Sequence, residues 1–236
     1  MKIYYWAPFL SNIATVSSVI RSIESIKLYN KKNLEISIID SVGEWDQIKE
    51  KVKDIGVIKL YKKSLIKKIP KGGFLKSRFT QLFIFIYSFF KLLDLLKKKE
   101  PDYLIAHLII SLPLILMSFL QNKTKLIVRI SGLPRLNFFR RIYWKFFSKN
   151  VYKVTCPTIA TFEKLKLLKI FNVKKLYILH DPVISTKEIN EKKREQIKVN
   201  FKNKKFILSI GRLTKQKNFA LLLNAFVDIK KKISRI

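Results

Sequence analysis

The chain has 236 residues, 48% of them hydrophobic, which suffices for one buried core plus part of a second domain and excludes a disordered chain. Lys and Arg number 49 against 16 Asp and Glu, a formal charge of +33, so the surface must be well solvated or face something anionic: nucleic acid, acidic phospholipid or a phosphorylated substrate. Most of the cations are lysines, and no RNP-type, zinc-finger or helix-turn-helix pattern is present, which weighs against nucleic acid.

In chain order, Lys2–Trp6 is β-prone. The opening MKIYYWAPFL lacks the long apolar run and small-residue cleavage site of a secretory signal. Ala14–Leu28 reads as a helix. Leu34–Asp40 reads as a buried strand, its Ile-rich run suiting a parallel sheet covered on both faces. Val57–Tyr61 is a short strand and Ile69–Gly73 (IPKGG) a loop. Leu75–Lys99 is a long helix whose basic C-terminal end suits the helix dipole.

Tyr103–Leu120 carries no formal charge and reaches the lower edge of a transmembrane length. Pro101-Asp102 precede it, His107 lies inside it and Ser111–Pro113 interrupt it, so it reads as a strand, Asp102–His107, running into a short apolar helix, Pro113–Leu120. Leu82–Phe90, the other apolar run, is too short to span. Strands follow at Lys125–Ile130, Tyr152–Cys156 and Lys175–Leu179, alternating with helices at Leu136–Ser148 and Thr158–Leu168. Cys156, the lone cysteine, excludes an intrachain disulfide and reads as a small buried residue. Ile184–Lys204 is a charged, partly helical connector; Lys205–Ile210 is a new strand and Phe219–Lys230 a new helix.

Strand–helix alternation throughout predicts an α/β protein with a doubly wound, Rossmann-like parallel sheet. Such sheets bind ligands beyond the C-terminal ends of their strands. That rule selects the loops Pro8–Ala14, Leu108–Leu112, Ser131–Arg135, Pro157–Thr158, His180–Val183 and Gly211–Asn218.

The last of these is the sharpest signal. In FILSIGRLTKQKNFALLLNAF a strand ends at Gly211, Arg212 follows, Lys215 and Lys217 stand in a polar turn, and Asn218 can cap the next helix. A helix N-terminus flanked by fixed cations suits an anion such as a diphosphate. The same residues also fit an ordinary strand–turn–helix with surface lysines.

The segment resembles the donor-site motif of glycosyltransferase family 4, in which a strand runs into G-R-L, a K-N pair starts a helix, and the helix ends in A-F. The resemblance implies a two-lobed GT-B fold and a retaining transfer of a sugar from a UDP- or GDP-sugar to a cell-surface glycan or lipid-linked acceptor. It implies that Arg212 and Lys217, beside Gly211, bind the donor diphosphate, with no metal and no further cofactor. Less specifically, PDYLIAHL, KLIVRISGLPRLN, VTCPT and YILHDPVI stand in the order of that family's acceptor lobe. On this reading residues 1–183 are the acceptor-side lobe, 184–204 a connector, and 205–236 the opening of the nucleotide-sugar lobe. Two features depart from the pattern. Pro8–Thr15 holds no Gly where many relatives carry a Gly-rich loop, leaving Ser11, Asn12 and the following helix N-terminus as donors, and the paired Glu of the second lobe is not reached.

His107, at a strand end, is the candidate catalytic residue, able to contact the donor sugar or stabilise charge at the reacting centre; a His in an apolar run also fits a satisfied core position. His180 beside Asp181 reads chiefly as a turn residue. Arg129, Arg135, Ser131 and Gly132 are candidate acceptor or phosphate contacts, and with Arg140 and Arg141 they form a basic cluster suited to a lipid pyrophosphate or anionic headgroups. Lys71, Lys76 and Arg78 repeat that pattern beside aromatic residues. The expected setting is cytoplasmic, peripheral on the inner face of the cell membrane. Two alternatives stand beside the enzyme: a non-catalytic glycan- or membrane-binding fragment, and a basic nucleic-acid-binding protein.

Overall fold

The computed structural model describes residues 1–9, 14–30, 33–66, 69, 74–134, 136–182, 184–195, 206–211, 213–215 and 217–233. The chain divides into two units, Met1–Thr186 and Lys187–Ile236.

The first unit is built on seven parallel strands: β1 (Lys2–Trp6), β2 (Glu35–Asp40), β3 (Gly56–Lys59), β4 (Tyr103–Ala106), β5 (Lys125–Arg129), β6 (Lys153–Cys156) and β7 (Leu176–Ile178). Their order is β3-β2-β1-β4-β5-β6-β7, so the direction of winding reverses at β1, which pairs with β2 on one side and β4 on the other. This is the doubly wound α/β architecture expected from the sequence.

Side-chain alternation assigns each strand residue to a face. Tyr4, Trp6, Leu104, Ala106, Leu126, Val128, Val154 and Cys156 enter the larger core. Ile3, Tyr5, Ile36 and Ile38 enter the second. Helices α2 (Phe74–Lys99), α3 (Ser111–Phe119), α4 (Phe138–Phe147) and α5 (Ile159–Leu168) cover the first face. The second face is covered by α1 (Ala14–Tyr29), whose Val16, Val19, Ile20 and Ile23 recur at helical spacing and are buried. Each such side chain contributes about 1.5–3 kcal/mol by leaving water.

The helices begin where local chemistry permits. Asn137 accepts from the backbone N–H of Arg140 at 2.9 Å and starts α4; Thr158 accepts from Thr161 at 3.1 Å and starts α5. Tyr103–Leu120 resolves as expected into a strand and a short helix, and α3 is apolar on nearly every side because Leu112, Leu114 and Leu116 are fully enclosed. Within α2, Arg78–Lys99 is long and apolar enough to cross a membrane, with a mean hydropathy of 1.6. The sequence reading of Leu82–Phe90 as too short to span took in only the middle of that stretch. In the fold α2 buries Ile84, Leu92 and Leu96 on its inward face.

A further turn went unread in the sequence. Trp45–Val52 forms short 3-10 helix with a break at Ile48. Before it, Gly43 has φ +91°, and a Cβ there would collide with Ser64.

Helix α6 (Thr186–Lys193) begins just before the division, within the span read as partly helical, and in the second unit α7 (Phe219–Ile233) is the expected last helix. Residues 206–210, expected as a strand, form none: no strand among the described residues lies beside them, and a parallel strand takes its hydrogen bonds from a neighbour.

Candidate functional site

Beneath α1, beside the second face of the sheet, lies a cavity of about 410 Å³. Alternation puts Tyr5, Ile105, Ile127, Arg129 and Thr155 on this face, and His107, one residue beyond β4, continues the same parity. The His107 backbone N–H donates to the carbonyl of Trp6 at 2.9 Å, extending the β1–β4 ladder past the strand and fixing the imidazole at the cavity.

Arg129 ends β5 and is 4% exposed. A buried guanidinium requires a partner. Asp181, three residues past β7, supplies it: its Oδ1 accepts from Arg129 Nε at 3.0 Å and Nη2 at 2.6 Å, and from Ser18 Oγ of α1 at 2.5 Å. Arg129 Nη1 also reaches Thr155 Oγ1 at 3.4 Å. One carboxylate oxygen therefore joins α1, β5 and the segment that follows β7.

His107 is 5% exposed and its Nδ1 has no hydrogen-bond partner among the described residues. Burial, then the Arg129 charge, lowers its pKa to about 3, with Asp181 opposing, so the ring is neutral at ordinary pH. It can exchange hydrogen bonds with a ligand but carries no charge to one. The Tyr5 ring lies 5.9 Å away, and its hydroxyl shares a hydrogen bond with Ser22 at 2.9 Å. Burial raises that phenol to about 12, so it too stays protonated.

The loop after His107 is held under strain. Ile109 has φ +46°, a left-handed backbone that a β-branched residue rarely adopts and that costs about 1–2 kcal/mol. Its carbonyl accepts from the Trp6 indole at 3.3 Å.

The other expected residues are distributed differently. Ser131 and Gly132 are exposed on the loop after β5. His180 Nδ1 lies 2.7 Å from the Pro157 carbonyl, so it acts as a turn residue, and Asp181 pairs with Arg129 instead. Cys156 is buried, and burial raises its thiol. Ser11, Asn12, Arg135 and Arg212 lie outside the described residues. In the second unit Asn218 accepts from the backbone N–H of Leu221 at 3.4 Å and so caps α7, while the N–H groups of Lys217 and Asn218 both donate to Thr214 O. A Cβ on Gly211 would meet only ordinary neighbours, the nearest Phe219 Cζ at 3.4 Å. No group of His, Cys, Asp or Glu among the described residues is placed to hold a metal.

Asp181 and Thr155 were not singled out as partners of Arg129, nor Ser18 as a donor to Asp181. The available signal was Arg129 itself, a charge closing an otherwise apolar strand.

The fold has solved counterparts. UDP-GlcNAc 2-epimerase from Neisseria meningitidis, bound to UDP-GlcNAc, aligns with a TM-score of 0.55 at 14% identity, over 82% of this chain and 50% of its own. A putative UDP-N-acetylglucosamine 2-epimerase from Listeria monocytogenes aligns with a TM-score of 0.52 at 14% identity, over 75% and 44%. A glycosyltransferase from Rickettsia africae ESF-5 aligns at 0.49, with 17% identity over 81% and 48%. The first two likenesses show a shared Rossmann-like fold. The chain spans about half the length of the structures it matches. No protein-family model matches it, and no curated protein is similar in sequence.

Proposed function

We propose that the chain supplies the acceptor-side lobe and the opening of the donor-side lobe of a retaining glycosyltransferase resembling family 4. It would take a sugar from a UDP- or GDP-sugar and pass it to a cell-surface glycan or lipid-linked acceptor, on the cytoplasmic face of the membrane. The observation that carries this reading is the start of α7: among the described residues Asn218 caps the helix and Lys217 stands beside the cap, in the sequence Gly211–Asn218. A helix N-terminus next to a cation attracts a diphosphate. The fold shared with an epimerase bound to UDP-GlcNAc supports a sugar nucleotide as the ligand.

In this reading Arg212 and Lys217 stabilise the leaving nucleoside diphosphate as its charge develops, so no metal is required. His107, held neutral, orients a sugar hydroxyl by hydrogen bonding. Arg129 keeps its wall of the cavity in shape through Asp181, and its guanidinium is committed to that carboxylate.

Calorimetric titration with UDP, GDP and their sugar conjugates tests the reading, on this chain and on the full product of its gene. Saturable binding of one nucleotide series is expected; binding of none leaves Gly211–Asn218 an ordinary turn. Arg212→Ala is expected to lower turnover of the full product at least about tenfold, the effect of removing one charge-stabilising contact. Unchanged turnover would remove the assignment.

A further inference from the structure

We infer that the outer surface of the α2–α3–α4 layer docks onto an anionic phospholipid bilayer, with α4 lying in the plane of the membrane interface.

The three helices are successive neighbours in one layer, α3 packing against both α2 and α4. Their inward residues fill the larger core, so their exposed residues face away from the sheet. On α4 no side chain is fully buried: Tyr143, Trp144 and Phe147 lean on the core, while Phe138, Phe139, Ile142 and Phe146 stand out. Phe138 is 73% exposed and Phe139 78%, values that water disfavours for rings of this size. On α2 the exposed residues Phe79, Leu82, Phe83, Ile86 and Phe90 recur three or four apart and form a second outward stripe. Phe119, 73% exposed at the end of α3, lies 6.5 Å from the Phe147 ring and continues the apolar surface between them.

Charge selects the partner. Arg140, Arg141 and Lys145 are exposed on α4 among its phenylalanines, and Lys149 follows one turn on with its ammonium 5.5 Å from the Phe146 ring. Between Asp54 and Glu163 the acidic residues are Asp94, Glu100 and Asp102, so this surface has little negative charge of its own. A short helix with aromatic residues interleaved with Arg and Lys is the composition that settles at a headgroup boundary, rings in the acyl edge and cations on phosphates. An apolar protein partner would have no use for the cations, and nucleic acid none for so many exposed phenylalanines.

This inference stands apart from the donor-site reading, and its test uses no nucleotide. The full chain is sedimented with vesicles of phosphatidylcholine alone and with vesicles of equal parts phosphatidylcholine and phosphatidylglycerol. Binding to the mixed vesicles only, weakening with salt, is expected. Phe139→Ser with Phe146→Ser should lower the partition coefficient at least about tenfold, and each of Arg141→Gln and Lys145→Gln about fivefold. These side chains are exposed, so the variants should keep the parent's near-ultraviolet circular dichroism, which is recorded alongside. No binding to the mixed vesicles, or binding that the α4 variants leave unchanged, overturns the inference. So does lipid-free dimerisation that the variants abolish without any vesicle binding, which would make the surface a self-association face. Retention through an alkaline wash would overturn it as well, because α2 would then have left the sheet to span the bilayer.

Discussion

Asp181→Ala should destabilise the first unit by about 3–5 kcal/mol, the usual consequence of leaving a buried ion without its partner. Asp181 Oδ1 accepts both Arg129 donors and the Ser18 hydroxyl, and Arg129 is nearly sealed from water. Truncation removes that acceptor and leaves a guanidinium that cannot deprotonate. Urea unfolding followed by tryptophan fluorescence reports on the first unit, because Trp6, Trp45 and Trp144 all lie within it. Arg129→Leu combined with Asp181→Leu should recover most of the loss, since a buried pair contributes little beyond an apolar replacement. If Asp181→Ala alone falls within about 1 kcal/mol of the parent, water reaches Arg129 and the pair behaves as a surface bridge.

Acidification should reveal His107 in the same assay. Its folded value of about 3 lies below the ordinary 6.5, so below pH 6.5 the unfolded chain binds a proton that the folded chain refuses. Stability from this group is complete above pH 6.5 and is lost as pH falls toward 3. At about 1.4 kcal/mol per unit, the step from pH 6.5 to 5 costs about 2 kcal/mol. Glu44 acts with the opposite sign. Burial, then the Asp40 carboxylate beside it, raises its carboxyl well above its ordinary value, so its contribution is greatest at low pH and is lost as pH rises. The comparison that isolates the imidazole is therefore parent against His107→Gln. The parent should lose about 2 kcal/mol more than the variant over that interval; parallel curves would mean that water already reaches the ring.

Much of the sheet was legible because its signals are local. The Ile-rich β2, the apolar-to-basic α2 and the strand–helix split of Tyr103–Leu120 follow from periodicity and from Pro113. His107 could be placed because one residue past a strand end is a fixed position. Its neighbours could not, since Tyr5 and Arg129 come from strands far apart in sequence and only pairing register brings them to one face. Asp181 was visible as a residue and invisible as a counter-ion, because 52 positions separate it from Arg129. The expected strand at 206–210 shows the reverse limit. Its composition is that of a strand, but strand structure belongs to a pair, and no described neighbour completes it.

The position of β1 has a consequence for biosynthesis. Ile3 pairs with Ile36 on one side and with Tyr103 on the other, so the first strand made has its second edge satisfied only after about a hundred further residues have been added. At about 5–20 residues per second, the ribosome takes roughly 5–20 s to pass from one partner of the β1–β4 pair to the other. In that interval the nascent chain presents an open central edge, and the apolar helix α2 emerges before β4 can complete its seat. A translation intermediate thus exposes both the β1 edge and the apolar face of α2, and a pause before Tyr103 would prolong that exposure to chaperones and to insertion machinery that recognises apolar helices.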